Sequence, residues 1–214
     1  MSDNRMENNR VNVTGKICSG FRYSHQVFGE KFYMADISIS RESGYADIIP
    51  LMLSDRILDV RQDYTGSMVN VTGQFRSYNR HEEGKSRLVL SVFVQEAEFL
   101  EEEPGKDREN NRISLEGFVC KEPVYRKTPL GREIADILLA VNRAYGKSDY
   151  IPCIAWGRNA RLAGRLEVGM AVKMQGRIQS REYVKWLPEG KPESRVAYEV
   201  SVSMMEPEAG GDEP

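Results

Sequence analysis

The chain contains one internal repeat, and each copy is as long as a whole domain. The segment Asn9–Cys18 reappears as Asn111–Cys120, which is an offset of 111 − 9 = 102 residues. A single inserted residue in the second copy then aligns Gly73 with Gly176. The repeat units of solenoids and propellers are only about 20–50 residues long. The offset of 102 also pairs Gly29 with Gly131, Arg41 with Arg143 and Asp47 with Asp149. We therefore predict two copies of one fold in tandem.

Length and local composition predict the domain boundaries. A chain of 214 residues has room for two domains of ordinary size, about 100 residues each. The stretch 101–110 is rich in charge, contains Pro and Gly and lacks an apolar period, which is typical of a linker. We predict domain 1 at 9–100, domain 2 at 111–205, and disordered ends at 1–8 and 206–214.

A period of two in the apolar residues runs through both copies. Alternation of this kind, as at Val69 and Val71, indicates half-buried strands. One stretch in each copy, 54–60 and 158–163, has the pattern of a short helix. Three strands, a helix and two more strands in about 95 residues is the order of an OB-fold barrel. We predict an all-β chain of two tandem OB-fold five-stranded barrels, each with one short helix, in which Gly15 and Gly117 let the first strand bend.

The net charge of −2 hides a difference between the copies. Residues 9–103 contain 11 Lys and Arg against 14 Asp and Glu, a net charge of −3. Residues 106–205 contain 18 against 12, a net charge of +6. A basic second copy beside a mildly acidic first indicates that only the second is adapted to a polyanion, although ordinary surface variation could produce the same split.

The sequence offers little for catalysis or for a metal. The only histidines, His25 and His81, lie in loop-like sequence without ligand-spaced partners, and no phosphate-loop motif occurs. We therefore expect no enzyme, no metal and no cofactor. Three cysteines without a CxxC pair are typical of small buried side chains in a reducing compartment. Because no apolar run reaches the roughly 18–20 residues of a membrane span, and the first residues are polar, we expect a cytoplasmic protein without a membrane partner.

The second copy interleaves aromatic and basic residues. Single-stranded nucleic acid needs flat side chains for its bases and cations along its phosphates, and each stacked base contributes about 1–3 kcal/mol. Trp156, at the end of an apolar strand, could equally be a core residue. Tyr183 and Trp186 lie in a polar hairpin, which favours the surface. The candidate nucleic-acid-binding residues are the aromatic Tyr145, Tyr150, Trp156, Tyr183 and Trp186 and the basic Arg143, Lys147, Arg158, Arg177, Arg181 and Lys185.

Several motifs of the second copy resemble those of the bacterial single-stranded DNA-binding proteins and of their relative, primosomal replication protein B. Asn111–Gly117 is similar to the opening strand of that family, and Pro129–Arg143 to its second hairpin arm. Asp149–Arg158 resembles the third strand, which ends in an aromatic residue, Gly and a basic residue, and Gly176–Tyr183 resembles the fourth. The motifs occur in the order of the family and span nearly all of the second copy.

The resemblance also implies where DNA would be contacted. Four aromatic positions of the family stack on bases, and here they fall on Tyr145, Tyr150, Trp156 and Tyr183. The first copy keeps the scaffold but differs at these positions: it has Tyr45 one residue out of register, then Ile48, Ser54 and Arg80. The resemblance to a DNA-contacting surface therefore belongs to the second copy.

The resemblance further implies an assembly. Members of the family commonly present four OB folds to DNA, so two in each chain implies a homodimer, with replication or repair proteins as further partners. A first strand that begins at Asn9 or Asn111 could pair with its equivalent across the two-fold axis of such a dimer.

We therefore predict a protein that binds single-stranded DNA in replication, recombination or repair. Binding would use base stacking and phosphate neutralisation and would be largely independent of sequence. Two alternatives remain open: a protein-interaction scaffold that uses OB barrels without nucleic acid, and a primosome or mobile-element replication accessory without strong DNA binding of its own.

Overall fold

β-Strands make up most of the chain in the computed structural model, which describes residues 7–82, 85–102, 105, 109–186 and 190–208, with only the backbone for 80–82 and 85–87. One α-helix, α1 (Gly157–Ala163), and one turn of 3-10 helix (Ala144–Gly146) interrupt the strands of this part. The strands are β1 (Asn9–Ile17), β2 (Arg22–Val27), β3 (Glu30–Ser40), β4 (Ala46–Ser54), β5 (Met68–Glu82), β6 (Lys85–Leu100), β7 (Asn111–Val119), β8 (Val124–Lys127), β9 (Glu133–Arg143), β10 (Lys147–Trp156), β11 (Ala171–Trp186) and β12 (Pro192–Pro207).

Five strands of each half close into a barrel. In domain 1 the ring runs β1-β3-β4-β6-β5 and returns to β1. In domain 2 it runs β7-β9-β10-β12-β11 and returns to β7. The two predicted five-stranded OB-fold barrels are therefore confirmed. Each half adds one strand outside the ring, β2 beside β3 and β8 beside β9. All residues of β2 and β8 are exposed, so these strands have no alternation of buried and exposed residues that the sequence could have revealed.

The two barrels are joined through their first strands. Strands β1 and β7 pair antiparallel, and Val11 lies opposite Ile113, its own counterpart in the repeat. The strand order of the combined sheet is consequently the same when read from either end. From the sequence, this strand could have paired with its equivalent across the two-fold axis of a dimer. In the structure, β1 instead pairs with β7 of the same chain, because the repeat provides both copies of the first strand.

The apolar face of each first strand packs into a core that is continuous through both barrels. Val11 and Val13 of β1 alternate with exposed residues and are buried, as the period of two predicted. Gly15 and Gly117 lie where the backbone of a second strand approaches: a Cβ at these positions would collide with the carbonyl oxygens of Ser38 and Ala140. The close approach of the backbone thus requires glycine in both copies, at the positions where the first strand is predicted to bend.

The helix predicted for both copies forms only in domain 2. Helix α1 contains Ala160 and Ala163, which favour a helix and are fully buried. In domain 1 the equivalent stretch 54–60 forms turns. The Ser54 hydroxyl there accepts a hydrogen bond from the Arg56 amide at 3.1 Å, and Asp59 accepts one from the Arg61 amide at 3.2 Å. Such local bonds from side chain to backbone compete with helix formation.

Other boundaries differ slightly from expectation. Strand β12 continues to Pro207, which pairs with Val172, and the Asn8 side chain donates a hydrogen bond to the Asn142 carbonyl at 2.8 Å. Residues 1–6 and 209–214 of the predicted ends, and 103–104 and 106–108 of the predicted linker, lie outside the described residues. Only Cys153 is buried as expected, whereas Cys18 is exposed. In the described part of the chain, no helix has the length and apolar character to cross a bilayer.

Candidate nucleic-acid interface

Strand β10 presents two of the predicted aromatic residues on its outer surface. Successive side chains of a strand point to opposite faces, so the even separation of Tyr150 and Trp156 places both on one face. Their exposed fractions are 42% and 39%, which excludes them from the barrel core. The alternate residues of the strand face inward and are buried, namely Asp149, Ile151, Cys153 and Ala155.

Trp156 ends strand β10 at the point where the chain turns into helix α1. The next residue, Gly157, has a φ of 53°, in the left-handed region that favours glycine. This turn brings the exposed Arg158 into the first turn of the helix. The cross-strand neighbour of Trp156 is the buried Ile134 of β9. The indole therefore lies beside an apolar side chain and two residues before a cation.

The turn between β9 and β10 carries Tyr145 and Lys147. Tyr145 is the middle residue of the 3-10 turn, with a φ of 63° and a side chain that is 98% exposed. A bulky residue in this backbone conformation is uncommon, and such outliers often mark functional positions. Lys147 is also exposed and lines the same surface concavity. The ring of Tyr145 is thus free to stack, with a cation two residues away.

The β11–β12 hairpin carries the remaining aromatic candidates, but on two faces. Arg181, Tyr183 and Lys185 alternate along β11 and share one face, and the Arg181 guanidinium lies 5.7 Å from the centre of the Tyr183 ring. Trp186 is more exposed than Tyr183, at 69%. It follows Lys185 directly and so points to the opposite face. The structure therefore groups Tyr183 with two cations and separates Trp186 from them.

Two of the predicted cations are engaged inside the protein. The Arg177 Nη1 atom lies 3.3 Å from an Asp47 carboxylate oxygen of domain 1, and its Nη2 donates a hydrogen bond to Gln179 at 3.1 Å. Arg143 Nε lies 3.2 Å from an oxygen of the buried Asp149, in an arrangement that does not satisfy hydrogen-bond geometry. Arg177 thus connects domain 2 to domain 1, whereas Arg143 pairs with a carboxylate of its own domain, and the sequence indicated neither contact.

A buried carboxylate of domain 2 holds a strand of domain 1. Asp149 accepts a hydrogen bond from the Ser77 amide of β5 at 2.6 Å. The Ser77 hydroxyl in turn accepts a hydrogen bond from the Tyr150 amide at 2.8 Å. Burial raises the pKa of Asp149, and the Ser77 amide and the charge of Arg143 act in the opposite direction. The backbone of the candidate stacking residue Tyr150 is therefore fixed by the neighbouring domain.

The same contact occurs in reverse. Asp47, the counterpart of Asp149, accepts a hydrogen bond from the Ser180 amide of domain 2 at 2.8 Å. The Ser180 hydroxyl accepts one from the Ile48 amide at 3.1 Å. Arg41 donates to the same carboxylate from Nε at 2.7 Å and from Nη2, and this bond raises the pKa of Arg41. We call the two halves together the Asp–Ser clasp. The signal that could have revealed it is that Asp47, Arg41 and their counterparts are identical in both copies.

Domain 1 lacks the aromatic pair of domain 2 on the equivalent strand. Ile48 stands in place of Tyr150 and is 41% exposed, whereas Ser54 stands in place of Trp156 and is only 5% exposed. Tyr45 and Tyr78 are exposed, as Tyr145 and Tyr183 are. The side chain of Arg80, the other predicted difference, lies outside the described residues. In the ranges that are described, no three His, Cys, Asp or Glu side chains form a group suited to a metal ion.

Known structures share this arrangement of two OB-fold barrels. The chain aligns over 96% of its length with 95% of the wild-type single-stranded DNA binding protein from Thermus aquaticus, with a TM-score of 0.74 and 19% identity. A deletion mutant of the same protein aligns with a TM-score of 0.72. At this identity the similarity concerns the fold, and it places the chain among tandem OB-fold proteins.

Sequence similarity in the second half of the chain is more specific than the similarity of fold. The model of the single-strand binding protein family matches residues 110–207. The single-stranded DNA-binding protein of Bacillus cereus is 38% identical over 114 residues, which cover 48% of this chain and 64% of that relative. Single-stranded DNA-binding protein A of Bacillus subtilis is 35% identical over 108 residues, covering 47% and 62%. The sequence of domain 2 is therefore similar to the single-strand binding protein family, and the chain spans just under two thirds of the length of these curated relatives.

Proposed function

We propose that the chain binds single-stranded DNA through the outer face of domain 2 and acts as a binding protein rather than an enzyme. The observation that carries this proposal is the pair Tyr150 and Trp156, both about two fifths exposed on one face of β10 in the domain that matches the family. Bases of any sequence have a flat face that can stack on such rings. The proposal therefore includes binding that depends little on sequence.

The proposed phosphate contacts are fewer than the sequence suggested. Lys147, Arg158 and Lys185 are exposed beside the candidate aromatic residues. Arg181 is also exposed, although Glu199 lies 3.6 Å from it. Arg177 forms an ion pair with the buried Asp47 of domain 1, and Arg143 forms one with the buried Asp149 of its own domain, so we assign both arginines to structural contacts.

We further propose a homodimer that presents four OB folds, acting in the cytoplasm with replication or repair proteins. Strands β1 and β7 already pair with each other within the chain, so the contact between two chains must use another surface. Sedimentation of the full chain at several concentrations tests the assembly, and a single species with the mass of one chain at every concentration would exclude it.

Titration of the full chain with poly(dT) tests the binding proposal. We expect quenching of the fluorescence of Trp156 and Trp186, the only two tryptophans. The logarithm of the affinity should fall with the logarithm of the salt concentration, at a slope of about −0.7 for each phosphate contacted. A duplex of the same length is the control and should bind more weakly. Affinity that ignores salt, or preference for the duplex, would contradict the proposal.

A further inference from the structure

A row of side chains crosses the outer face of domain 1. His25 of β2 stacks on Phe32 of β3, with ring centres 5.0 Å apart and planes 11° from parallel. Phe32 contacts Phe93 of β6 at 5.8 Å, and the Arg76 guanidinium of β5 lies 3.9 Å over the Phe93 ring. We call these four residues the domain 1 row. Three rings and a guanidinium in succession are the side-chain types on which nucleic-acid bases stack.

The small size of Ser54 allows the row to form. Strand β4 lies between β3 and β6, so Phe32 and Phe93 must lean over it to meet. Neighbouring strands are about 4.8 Å apart, which puts strands two places apart at roughly twice that distance. Phe32 is directly opposite Ser54, and Phe93 is opposite Met52. A large side chain at position 54 would occupy the space in which the two rings meet.

The equivalent row of domain 2 has aromatic and non-aromatic positions exchanged. Phe32 lies directly across from Ser54 in domain 1, and Ile134 lies directly across from Trp156 in domain 2. Phe32 is therefore equivalent to Ile134, and Ser54 to Trp156. In the same way Met52 faces Phe93, whereas Ile154 faces Ser201. In domain 1 the aromatic rings are therefore on β3 and β6, the two neighbours of β4. In domain 2 the indole is on β10, the counterpart of β4. Each domain retains aromatic surface at the same place on the barrel.

The domain 1 row ends beside domain 2. Arg76 immediately precedes Ser77, whose hydroxyl accepts the hydrogen bond from the Tyr150 amide. The guanidinium donates two hydrogen bonds to the neutral Gln74 side-chain oxygen, at 3.2 and 2.8 Å. Burial and the charge of Arg143 lower the pKa of Arg76, while Asp149 acts in the opposite direction. The cation therefore lies at the domain boundary, next to the strand that carries Tyr150.

We propose that the domain 1 row is a second base-stacking surface, which binds the same single strand of DNA as the outer face of domain 2. This inference rests on the proposed function and extends it to the domain that lacks the family's aromatic positions. His25 provides an exposed ring at one end of the row. Arg76 provides a cation and a planar group at the other end, where the strand would pass from Tyr150 to domain 1.

The test compares variants of the full chain on oligo(dT) of increasing length. His25→Ala removes an exposed ring, and Phe93→Leu removes a ring while keeping an apolar side chain. Each should weaken binding to long oligo(dT) about 5-fold or more. Oligonucleotides too short to reach beyond domain 2 should bind with unchanged affinity. Tyr23→Ala is the matched control, because Tyr23 packs on Tyr33 on the other face of the same hairpin, and it should bind like the wild type.

The outcomes separate this inference from the proposed function. If the wild type does not bind oligo(dT) of any length, the proposed function fails and the inference fails with it. If the wild type binds but His25→Ala and Phe93→Leu bind equally well at every length, only the inference fails. A change in sedimentation without a change in affinity would also overturn it, because the row would then be a contact between chains. His25→Ala keeps the test decisive if Phe93→Leu melts early, since His25 is exposed.

Discussion

Domain 1 and domain 2 share their interior contacts and differ in their exposed ones. Asn9 and Asn111, at the start of the two first strands, make the same pair of hydrogen bonds to the backbones of Phe75 and Ile178. Both asparagines are buried, and a buried amide must be paired because an unpaired one costs free energy. Identical residues in the two copies therefore hold each first strand within its own barrel, and the Asp–Ser clasp, which also uses residues shared by the copies, forms the joint between the barrels.

The outward positions of β4 and β10 show the opposite behaviour. Ile48 and Ser54 in domain 1 correspond to Tyr150 and Trp156 in domain 2, although the backbones of Ile48 and Tyr150 are held by equivalent serines. The scaffold thus positions these strands equally well in both domains. What differs is only which side chains project from them. The comparison separates residues needed for assembly from residues available for binding.

Replacing Asp47 by Ala should produce the largest effect, because it removes one half of the Asp–Ser clasp. The variant leaves the Arg41 and Arg177 guanidiniums without their carboxylate. Removing one partner of a buried ion pair costs about 3–5 kcal/mol of unfolding free energy. Denaturant unfolding of the full chain measures the loss.

Asp136→Ala is the control for that experiment. Asp136 pairs with Arg126 at 2.7 Å on the surface of domain 2, and such a pair contributes about 0–1 kcal/mol. If Asp47→Ala and Asp136→Ala have the same unfolding midpoint, the clasp is not a stabilising contact and the division between joint and surface would be lost.

Giving domain 2 the residues of domain 1 should reduce binding next most strongly. In Tyr150→Ile and Trp156→Ser, each lost stack should cost about 1–3 kcal/mol of poly(dT) binding free energy. The melting temperature should change little, because both side chains are partly exposed outside the core. Ile48→Ala, at the position in domain 1 equivalent to Tyr150, is the matched control. A large fall in melting temperature with unchanged affinity of the folded protein would instead make the two rings structural.

The sequence predicted the barrels well and the site only in part, for physical reasons. A period of two is visible in strands such as β1 and β7 because one face is buried, and Tyr150 and Trp156 could be placed on one face from their even spacing. The roles of Arg143 and Arg177 depend on carboxylates 6 and 130 residues away in the chain, as 149 − 143 = 6. Neither the ion pair within domain 2 nor the one between the domains has a local sequence pattern.

The domain 1 row was missed for the same reason. His25 and Phe32 belong to adjacent strands, but Phe93 lies two strands from Phe32 in the sheet. Nothing in the local sequence of β6 indicates that Phe93 meets another ring. The small size of Ser54 looked like the loss of an aromatic residue, whereas in the structure it is the condition for Phe32 and Phe93 to touch.

The reverse substitution, Ser54→Trp, should therefore not restore the surface of domain 2 in domain 1. Ser54 is buried next to Phe32, so an indole there would compete with the contact between Phe32 and Phe93. Overpacking of this kind typically costs about 1–3 kcal/mol of stability. Thermal melting of Ser54→Trp beside Trp156→Ser measures the asymmetry. A Ser54→Trp variant as stable as the wild type would show that the two domains offer the same space at this position.

The smallest expected effect concerns the turns that replace the helix in domain 1. Arg61 donates hydrogen bonds to Asp59 from its side chain and backbone, and these bonds lower the pKa of Asp59 to about 2. Because the folded pKa lies below the unfolded value, this pair stabilises the folded state at pH values above about 4, and the contribution is lost as the pH falls toward about 2. Domain 2 has Arg161 of helix α1 at the equivalent position and cannot show this titration.

Side-chain carboxyl NMR should find Asp59 titrating near pH 2 in the wild type and closer to the ordinary value in Arg61→Ala. An Asp59 carboxyl that titrates identically in both proteins would mean that the turn is not held by this pair.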